Sequence, residues 1–434
     1  MHRELVNDTI FALSSGPPPA AIALIRISGP RAGQALEALA GRLPAPRRAT
    51  FAQLGDPENA PLLLDHALVL WLPGPSTTTG EDIAELHLHG GRAVVGAVEQ
   101  ALGRFPGLRR ADPGEFTRRA FVNGRIDLAE AEGLGDLLAA ETELQRRAAL
   151  AMASGALSRA AEDWRERLLN AYAAVEAVLD FSDEDDASDL PDTHSADLGT
   201  LADSIADWLS RPRAELLREG FKVVLLGPPN SGKSTLFNAL TQSEAAITSP
   251  HPGTTRDVIT RAVAIQGVPL LFMDTAGLRE AVEEPIERMG IDRAYDAAAA
   301  ADLVLWLGAE GCAPAGPRAW EIDPRIDCSD RIAKRSPDHA VSSLTGEGLA
   351  RLREAIVAHA RGHMIGPGFT ALSERQHQLL AACRDAVQAA GFEGDPLLMA
   401  EQLRRARVAL DRLVGRSGTE NMLDALFGRF CIGK

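Results

Sequence analysis

Cysteine is scarce in this 434-residue sequence: the four residues Cys312, Cys328, Cys383 and Cys431 stand far apart and form no CxxC pair. A structural zinc site or a disulfide framework needs clustered cysteines, so neither is expected, and a reducing cytosol is the expected setting. Long apolar runs are also missing. No stretch approaches the roughly 18 residues of a membrane span. The opening MHRELVNDTIFALSS has no basic segment leading into an apolar core, so no secretory leader is expected. Basic charge is in deficit, with 45 Lys and Arg against 60 Asp and Glu and a formal net charge of −15. Proteins that hold nucleic acid by neutralising phosphates carry a basic face. Any RNA contact here must therefore be local or supplied by another subunit. The rest is ordinary: 45% hydrophobic and 24% charged residues exclude global disorder and collagen-like repeats. The length suits about two to four domains.

The texture of the chain changes three times. Residues 1–117 alternate strand-like and helix-like pieces. Ala21–Ile27, Ala67–Leu72 and Ile83–Leu88 read as strands stopped by Gly or Pro, and Gly33–Ala40 reads as a helix. This is a mixed α/β domain. Residues 118–215 are helical: Ala129–Val178 is rich in Ala, Leu, Glu and Arg, and Leu168, Tyr172, Val175 and Leu179 recur at helical spacing. An acidic loop, Ser182–Asp192, interrupts them, and helix is expected again over Ala196–Leu217. Residues 216–371 return to βα alternation, with buried strands at Phe221–Leu226, Leu270–Met273 and Leu303–Leu307. That pattern predicts a parallel, doubly wound sheet. Residues 372–434 are helical again, apart from a Gly/Pro break near 391–396. The simplest architecture is an α/β domain inserted between two parts of one helical domain.

The inserted domain carries a phosphate site. Gly227–Ser234 reads GPPNSGKS, directly after a strand and before the helical run TLFNAL. This is the context GxxxxGK[ST] requires. Backbone N–H groups wrap the phosphates, and the helix N-terminus adds the positive end of its dipole. Lys233 places a charge on the β- and γ-phosphates, and Ser234 offers a hydroxyl to Mg²⁺. GTTRD, Gly253–Asp257, follows; a threonine there can reach both metal and γ-phosphate. Asp274-Thr275-Ala276-Gly277 ends the next strand, where Asp274 suits a place near Mg²⁺ and Gly277 admits a backbone N–H close to phosphate. Each short motif is weak alone, and together and in order they are strong. The set resembles the translation-factor-like class of GTPases, in whose potassium-activated members an Asn at the position of Asn230 helps hold K⁺ in the place of an arginine finger.

One usual piece is absent. No NKxD, whose Asp reads the guanine edge, occurs between Leu307 and Ser342. Pro324-Arg325-Ile326-Asp327 is the best substitute, with Asp327 at the Asp position. Ser342-Ser343-Leu344-Thr345-Gly346-Glu347-Gly348 matches the loop that presents backbone N–H to guanine O6.

The flanks narrow the class. DTIFA at Asp8–Ala12, LIRISGP at Leu24–Pro30, GEDIAELHLHGG at Gly80–Gly91, PGEFTRRAFVNGRIDL at Pro113–Leu128 and FCIGK at Phe430–Lys434 resemble the MnmE (TrmE) family of tRNA modification GTPases over essentially the whole chain. The resemblance implies a folate-binding N-terminal domain that forms a homodimer, a helical domain, and an inserted Ras-like G domain. It implies partnership with MnmG, a flavin- and NADH-dependent protein, in a heterotetramer or larger complex acting on tRNA, with no membrane. The reaction implied adds an aminomethyl or carboxymethylaminomethyl group to C5 of the wobble uridine. Its one-carbon unit comes from 5-formyl- or 5,10-methylene-tetrahydrofolate.

By the same resemblance, GTP is bound by Asn230, Ser231, Gly232, Lys233, Ser234 and Thr235; by Ser249, Pro250, His251, Pro252, Gly253, Thr254 and Thr255; by Asp274, Thr275, Ala276 and Gly277; and by Ser342, Ser343 and Leu344. Mg²⁺ falls to Ser234 and Thr255, and K⁺ to Asn230, Ser249, His251 and Thr254. Glu287 is the residue implied to orient the attacking water; by spacing alone it reads as a surface residue. Arg26, Glu85, Arg125 and Lys434 are implied at folate. His87 and His89 form HxH on a strand, and without a third ligand nearby they are expected to be ordinary polar residues. A ribosome-assembly or signalling GTPase would share the G motifs but would need neither the N-terminal domain nor FCIGK.

Overall fold

The computed structural model describes residues 8–59, 61–180, 193–242, 245–246, 259–274, 299–313, 319–329, 331–364, 366–417, 420–428, 430 and 432–433. Contacts divide the chain into two compact units, residues 1–135 with 411–434, and residues 136–410.

The first unit is built on a six-stranded sheet: β1 (Thr9–Leu13), β2 (Ile22–Ser28), β3 (Thr50–Gly55), β4 (Leu63–Leu72), β5 (Ile83–His89) and β6 (Leu108–Arg110), in the order β3-β4-β5-β2-β1-β6. All neighbours are antiparallel except β1 and β6. Period-two alternation decides the faces. Ala23, Ile25 and Ile27 of β2 and Ala84, Leu86 and Leu88 of β5 are buried. They lie under helices α1 (Ala32–Ala40) and α2 (Arg92–Arg104), whose apolar stripes include Leu36, Leu39, Val95 and Val98. The intervening residues point to the opposite face. There the register sets Glu85 between Arg26 and Leu70, and His87 between Leu24 and Leu68.

Helices α3 (Glu115–Val122) and α4 (Leu128–Ala139) follow. Leu128, Ala131, Leu423, Phe427 and Phe430 form a separate small core, which brings the helix Glu420–Phe427 onto α3 and α4. Gly114 makes that approach possible: its φ is +69°, and a Cβ there would lie 2.2 Å from the Phe427 carbonyl oxygen.

In the second unit, the expected helical stretch resolves into α5 (Glu143–Ala153) and α6 (Ala156–Asp180). Thr142 and Gln145 close a capping box at the start of α5. The acidic loop Ser182–Asp192 lies outside the described residues. The single helix expected over 196–217 is two, α7 (His194–Leu209) and α8 (Ala214–Glu219). Pro212 has no N–H to continue the ladder. The chain there is extended and pairs in parallel with the strand leaving the inserted domain: Ala214 N–H donates to Leu372 O (2.9 Å) and Leu372 N–H to Pro212 O (3.1 Å). Arg213 pairs with Glu374 across the same neck.

The inserted domain holds β7 (Phe221–Leu226), α9 (Lys233–Thr241), β8 (Ala245–Ala246), β9 (Ile259–Ile265), β10 (Val268–Asp274), β11 (Leu303–Trp306), β12 (Ala319–Pro324), β13 (His339–Val341) and α10 (Leu349–Met364). The sheet order is β13-β12-β11-β7-β10-β9-β8. Five strands pair in parallel, as the βα alternation predicts, but β9 runs antiparallel to β10, and β8 antiparallel to β9. Gln266-Gly267, both at positive φ, turn β9 back into β10. The segment from Leu307 to Ser342, in which the sequence shows no NKxD, contains β12 and β13. After the neck, α11 (Glu374–Phe392) packs along α7, and α12 (Pro396–Leu413) follows. Helices therefore flank the inserted sheet in sequence on both sides. Among the described residues no helix is long and apolar enough to cross a membrane.

Candidate functional site

The phosphate loop joins the end of the central strand β7 to the start of α9. Its turn needs unusual backbone: Gly227, Asn230 and Gly232 have φ of +151°, +58° and +95°. A Cβ on Gly227 would crowd Leu307 and Gly308 at 3.0–3.1 Å. Lys233, 8% exposed, curls into the loop and donates to Gly227 O (3.0 Å) and Pro228 O (2.8 Å). Ser231 Oγ is enclosed without a hydrogen-bond partner. Enclosed hydroxyls without partners are rare in folded proteins, and a phosphate oxygen is a suitable acceptor for this one. Ser234 and Thr235, on the first turn of α9, are exposed. Asp274 ends β10 beside Leu225 of β7 and is 1% exposed. These residues form the sequence-predicted cradle. Ser249, Pro250, His251, Pro252, Gly253, Thr254, Thr255, Thr275, Ala276, Gly277 and Glu287 lie outside the described residues.

The base side is assembled from two loops. β12 ends at Pro324, so Arg325–Asp327 occupy the turn at the carboxyl end of the sheet, where ligands bind in open α/β folds. The aliphatic stem of Arg325 lies against the phosphate loop, its Cγ 3.8 Å from where a Gly232 Cβ would stand. The Ser342 hydroxyl beside Asp327 holds its carboxyl below the usual range. Ser342 Oγ in turn accepts from the N–H groups of Leu344 (3.3 Å) and Thr345 (3.0 Å). Ser342 is fully buried, whereas Leu344 is 84% exposed. The competing carboxylate, Asp323, is buried and paired with Arg331. Asp327 thus stands beside the loop Ser342–Gly348, where the sequence reading expects the base.

A second polar constellation lies on the open face of the N-terminal sheet. Arg26 donates to Glu85 Oε1 from Nε (3.1 Å) and Nη2 (2.9 Å). One residue pair along, His87 Nε2 is enclosed with no hydrogen-bond partner, 3.6 Å from Glu85 Oε2. The sequence reading gave His87 no role; its signal was only the even spacing from Glu85. His89 instead bonds Asp65, Nδ1 to Oδ1 at 2.7 Å. Arg125 is exposed and stands against the Gly80 turn, where Asn123 donates to Thr79 O (2.7 Å) and Thr79 meets Ser28 (2.7 Å). That is the Ser28 end of β2, two residues from Arg26. Lys434 lies outside the described residues, but Gly433 is buried against Leu13 at the other end of the β1–β2 pair.

A glycine loop between strand and helix, a lysine inside it, an aspartate at the end of the neighbouring strand and a base loop beyond define a P-loop GTPase. The comparisons name the particular family. Residues 9–125 match the family described as the GTP-binding protein TrmE N-terminus, and residues 128–431 match the MnmE helical domain. The tRNA modification GTPase MnmE of Novosphingobium aromaticivorans is 62% identical over 99% of this chain and 100% of its own length. The MnmE proteins of Erythrobacter litoralis and Rhizorhabdus wittichii are 57% and 56% identical, over 98% and 99% of this chain and 100% and 97% of their own. The chain belongs to the MnmE family, whose named members are tRNA modification GTPases.

Proposed function

We propose that this GTPase, with an MnmG-type flavin- and NADH-dependent partner, installs a carboxymethylaminomethyl or aminomethyl group at C5 of the wobble uridine of certain tRNAs. The carbon comes from a 5-formyl- or 5,10-methylene-tetrahydrofolate. The reaction runs in the cytoplasm, and the working unit is a homodimer joined to the partner in a heterotetramer or larger complex. The domains are residues 1–117 for folate and dimerisation, 118–215 and 372–434 for the helical domain, and 216–371 for GTP. The observation that carries the reading is the Arg26–Glu85 pair on the open sheet face, in line with Leu70 and beside the His87 nitrogen, which has no hydrogen-bond partner. A flat heterocycle with polar edges suits such a face, and the half-buried donors and acceptors there would orient it.

In the G domain, Lys233 neutralises the β- and γ-phosphates, and the backbone N–H groups of Asn230–Thr235 hold their oxygens. Ser234 and Thr255 would hold Mg²⁺, which would supply neutralising charge to the phosphates. Asn230, Ser249, His251 and Thr254 would hold K⁺, which would supply positive charge where an arginine finger acts elsewhere. Glu287 orients the attacking water. Asp327 receives the guanine edge while Ser342 fixes its rotamer, and the 342–344 loop offers N–H groups to the base. The net charge of −15 favours the partner as the main holder of tRNA.

The test is nucleoside mass analysis of total tRNA from cells lacking the protein, complemented by the native chain or by Lys233→Ala. Loss of the modified wobble uridine, restored only by the native chain, is expected. Unaltered nucleosides alongside defective ribosomal subunits would overturn the reading in favour of an assembly switch.

A further inference from the structure

Phe430 is 7% exposed and packs with Phe427, against Gly135. It therefore anchors the chain just before the segment 431–434. Three residues on, Gly433 is buried at φ +94°, and a Cβ there would lie 2.2 Å from Leu13 O. Gly433 is thus pressed backbone to backbone on the end of β1. One side-chain bond joins the two: Ser14 Oγ donates to Gly433 O at 2.9 Å. Ser14 is itself held, its N–H donating to Leu24 O at 2.7 Å, and Ser15 Oγ takes the Leu24 N–H at 3.1 Å.

The register gives this bond its direction. Ala12 pairs with Arg26, so the next position of the same parity, Ser14, stands opposite Leu24 on the face that carries Arg26 and Glu85. Leu24 precedes Arg26 by two residues, about 7 Å along a strand. Removing the Ser14 hydroxyl would leave the Gly433 carbonyl, in a buried backbone, without this donor.

We propose that Ser14 is a positioning residue for uridine modification: its hydroxyl fixes the Gly433 backbone at the end of β1, at the Leu24 end of the face that carries Arg26 and Glu85. The proposal rests on the folate reading above. Ser14 belongs to the first unit and the phosphate loop to the second, and Ser14→Ala should leave GTP turnover alone.

The experiment uses the full chain and 5-formyl-tetrahydrofolate as probe, with native protein, Ser14→Ala, Ser14→Thr and a variant lacking residues 431–434. Folate affinity, tRNA modification in the reconstituted two-protein system, GTP turnover and thermal midpoint are read for each. Ser14→Ala should weaken folate binding and slow modification by about 5- to 10-fold, as loss of one hydrogen bond to a buried partner does. Ser14→Thr should restore both, and GTP turnover and thermal midpoint should not move in either variant. The shortened variant should lose at least as much as Ser14→Ala. If shortening abolishes modification while Ser14→Ala is inert, the positioning role is overturned and the folate reading stands. If native protein does not bind the probe, the folate reading fails, and this inference with it. A parallel fall in thermal midpoint and GTP turnover in Ser14→Ala would likewise overturn positioning in favour of a merely structural bond.

Discussion

Arg119 sits at the centre of a buried charge cluster, and Arg119→Met tests what the PGEFTRRAF stretch does. The guanidinium is 5% exposed. It reaches Asp8 Oδ1 at 2.7 Å, Glu81 Oε2 at 3.2 Å and Glu115 Oε1 at 3.0 Å, and it also donates to Asp8 O at 3.0 Å. Arg109 joins the same cluster through Asp8 (2.6 Å) and Glu115 (2.5 Å). Two arginines against three carboxylates give a local charge of 2 − 3 = −1, and removing Arg119 gives 1 − 3 = −2. Asp8 and Glu115 would keep Arg109, but Glu81 would keep only the Ser28 hydroxyl (2.7 Å) among the bonds described here. Stripping one partner from a buried ion cluster costs about 3–5 kcal/mol, a large part of the roughly 5–15 kcal/mol that stabilises a domain. Methionine keeps most of the side-chain volume, so the loss would report charge rather than a cavity.

The pH dependence has a defined sign. Burial by itself would raise the Glu115 carboxyl, but hydrogen bonds from Arg109, from the Asp112 N–H and from Arg119 outweigh it and hold the group below its ordinary range. A depressed folded-state value means that stabilisation is complete above the unfolded value, about pH 4.3, and is lost as pH falls through the folded one. The gap between native protein and Arg119→Met should therefore be full at pH 7 and narrow only as pH falls below about 4. Hydrogen exchange on the full chain, read at peptides from β1 and α3, measures the local opening energy. A loss below about 1 kcal/mol at pH 7, or a gap that does not narrow in acid, would refute the argument.

Three further outcomes are expected. Asp327→Asn should weaken GDP and favour xanthosine diphosphate, each on the order of 10²-fold; equal affinities by titration calorimetry would remove Asp327 from the base pocket. GTP turnover should be at least about tenfold faster in KCl than in NaCl, and Asn230→Ala should erase the difference; the same rate in both salts sinks the potassium proposal. Gly114→Ala should destabilise the first unit by about 1–3 kcal/mol, because of its φ of +69° and the 2.2 Å approach to Phe427 O; an unchanged thermal midpoint would contradict the close packing of that helix.

Local patterns carried much of the architecture. Alternation in Ile22–Ser28 and Ile83–His89 fixed which residues face the helices, because a strand has a strict period of two. GPPNSGKS announced the phosphate loop because its chemistry is contiguous: strand, turn and helix follow one another within a few residues. The helix break at Pro212 was equally present in the sequence, and its covalent reason is plain, but Ala- and Leu-rich flanks masked it. The antiparallel β9 and β8 were not legible, since strand direction depends on which edge the chain returns to. β12 escaped notice although buried Trp320 and Ile322 alternate with half-buried Ala319 and Glu321, because the run is only six residues long and ends in a proline.

Pairing of distant residues was decided by tertiary structure alone. Nothing in the sequence ties Asp327 to Ser342, Arg26 to Glu85 across 59 positions, or Ser14 to Gly433 across 419. Such contacts are long-range closures, made only when the whole fold repays their entropy. The sequence by itself determined the chemistry available, namely a phosphate loop, a carboxylate in PRID and an arginine in RISG. The tertiary structure decided which of these groups meet, because register and packing, rather than spacing along the chain, set the distances between them.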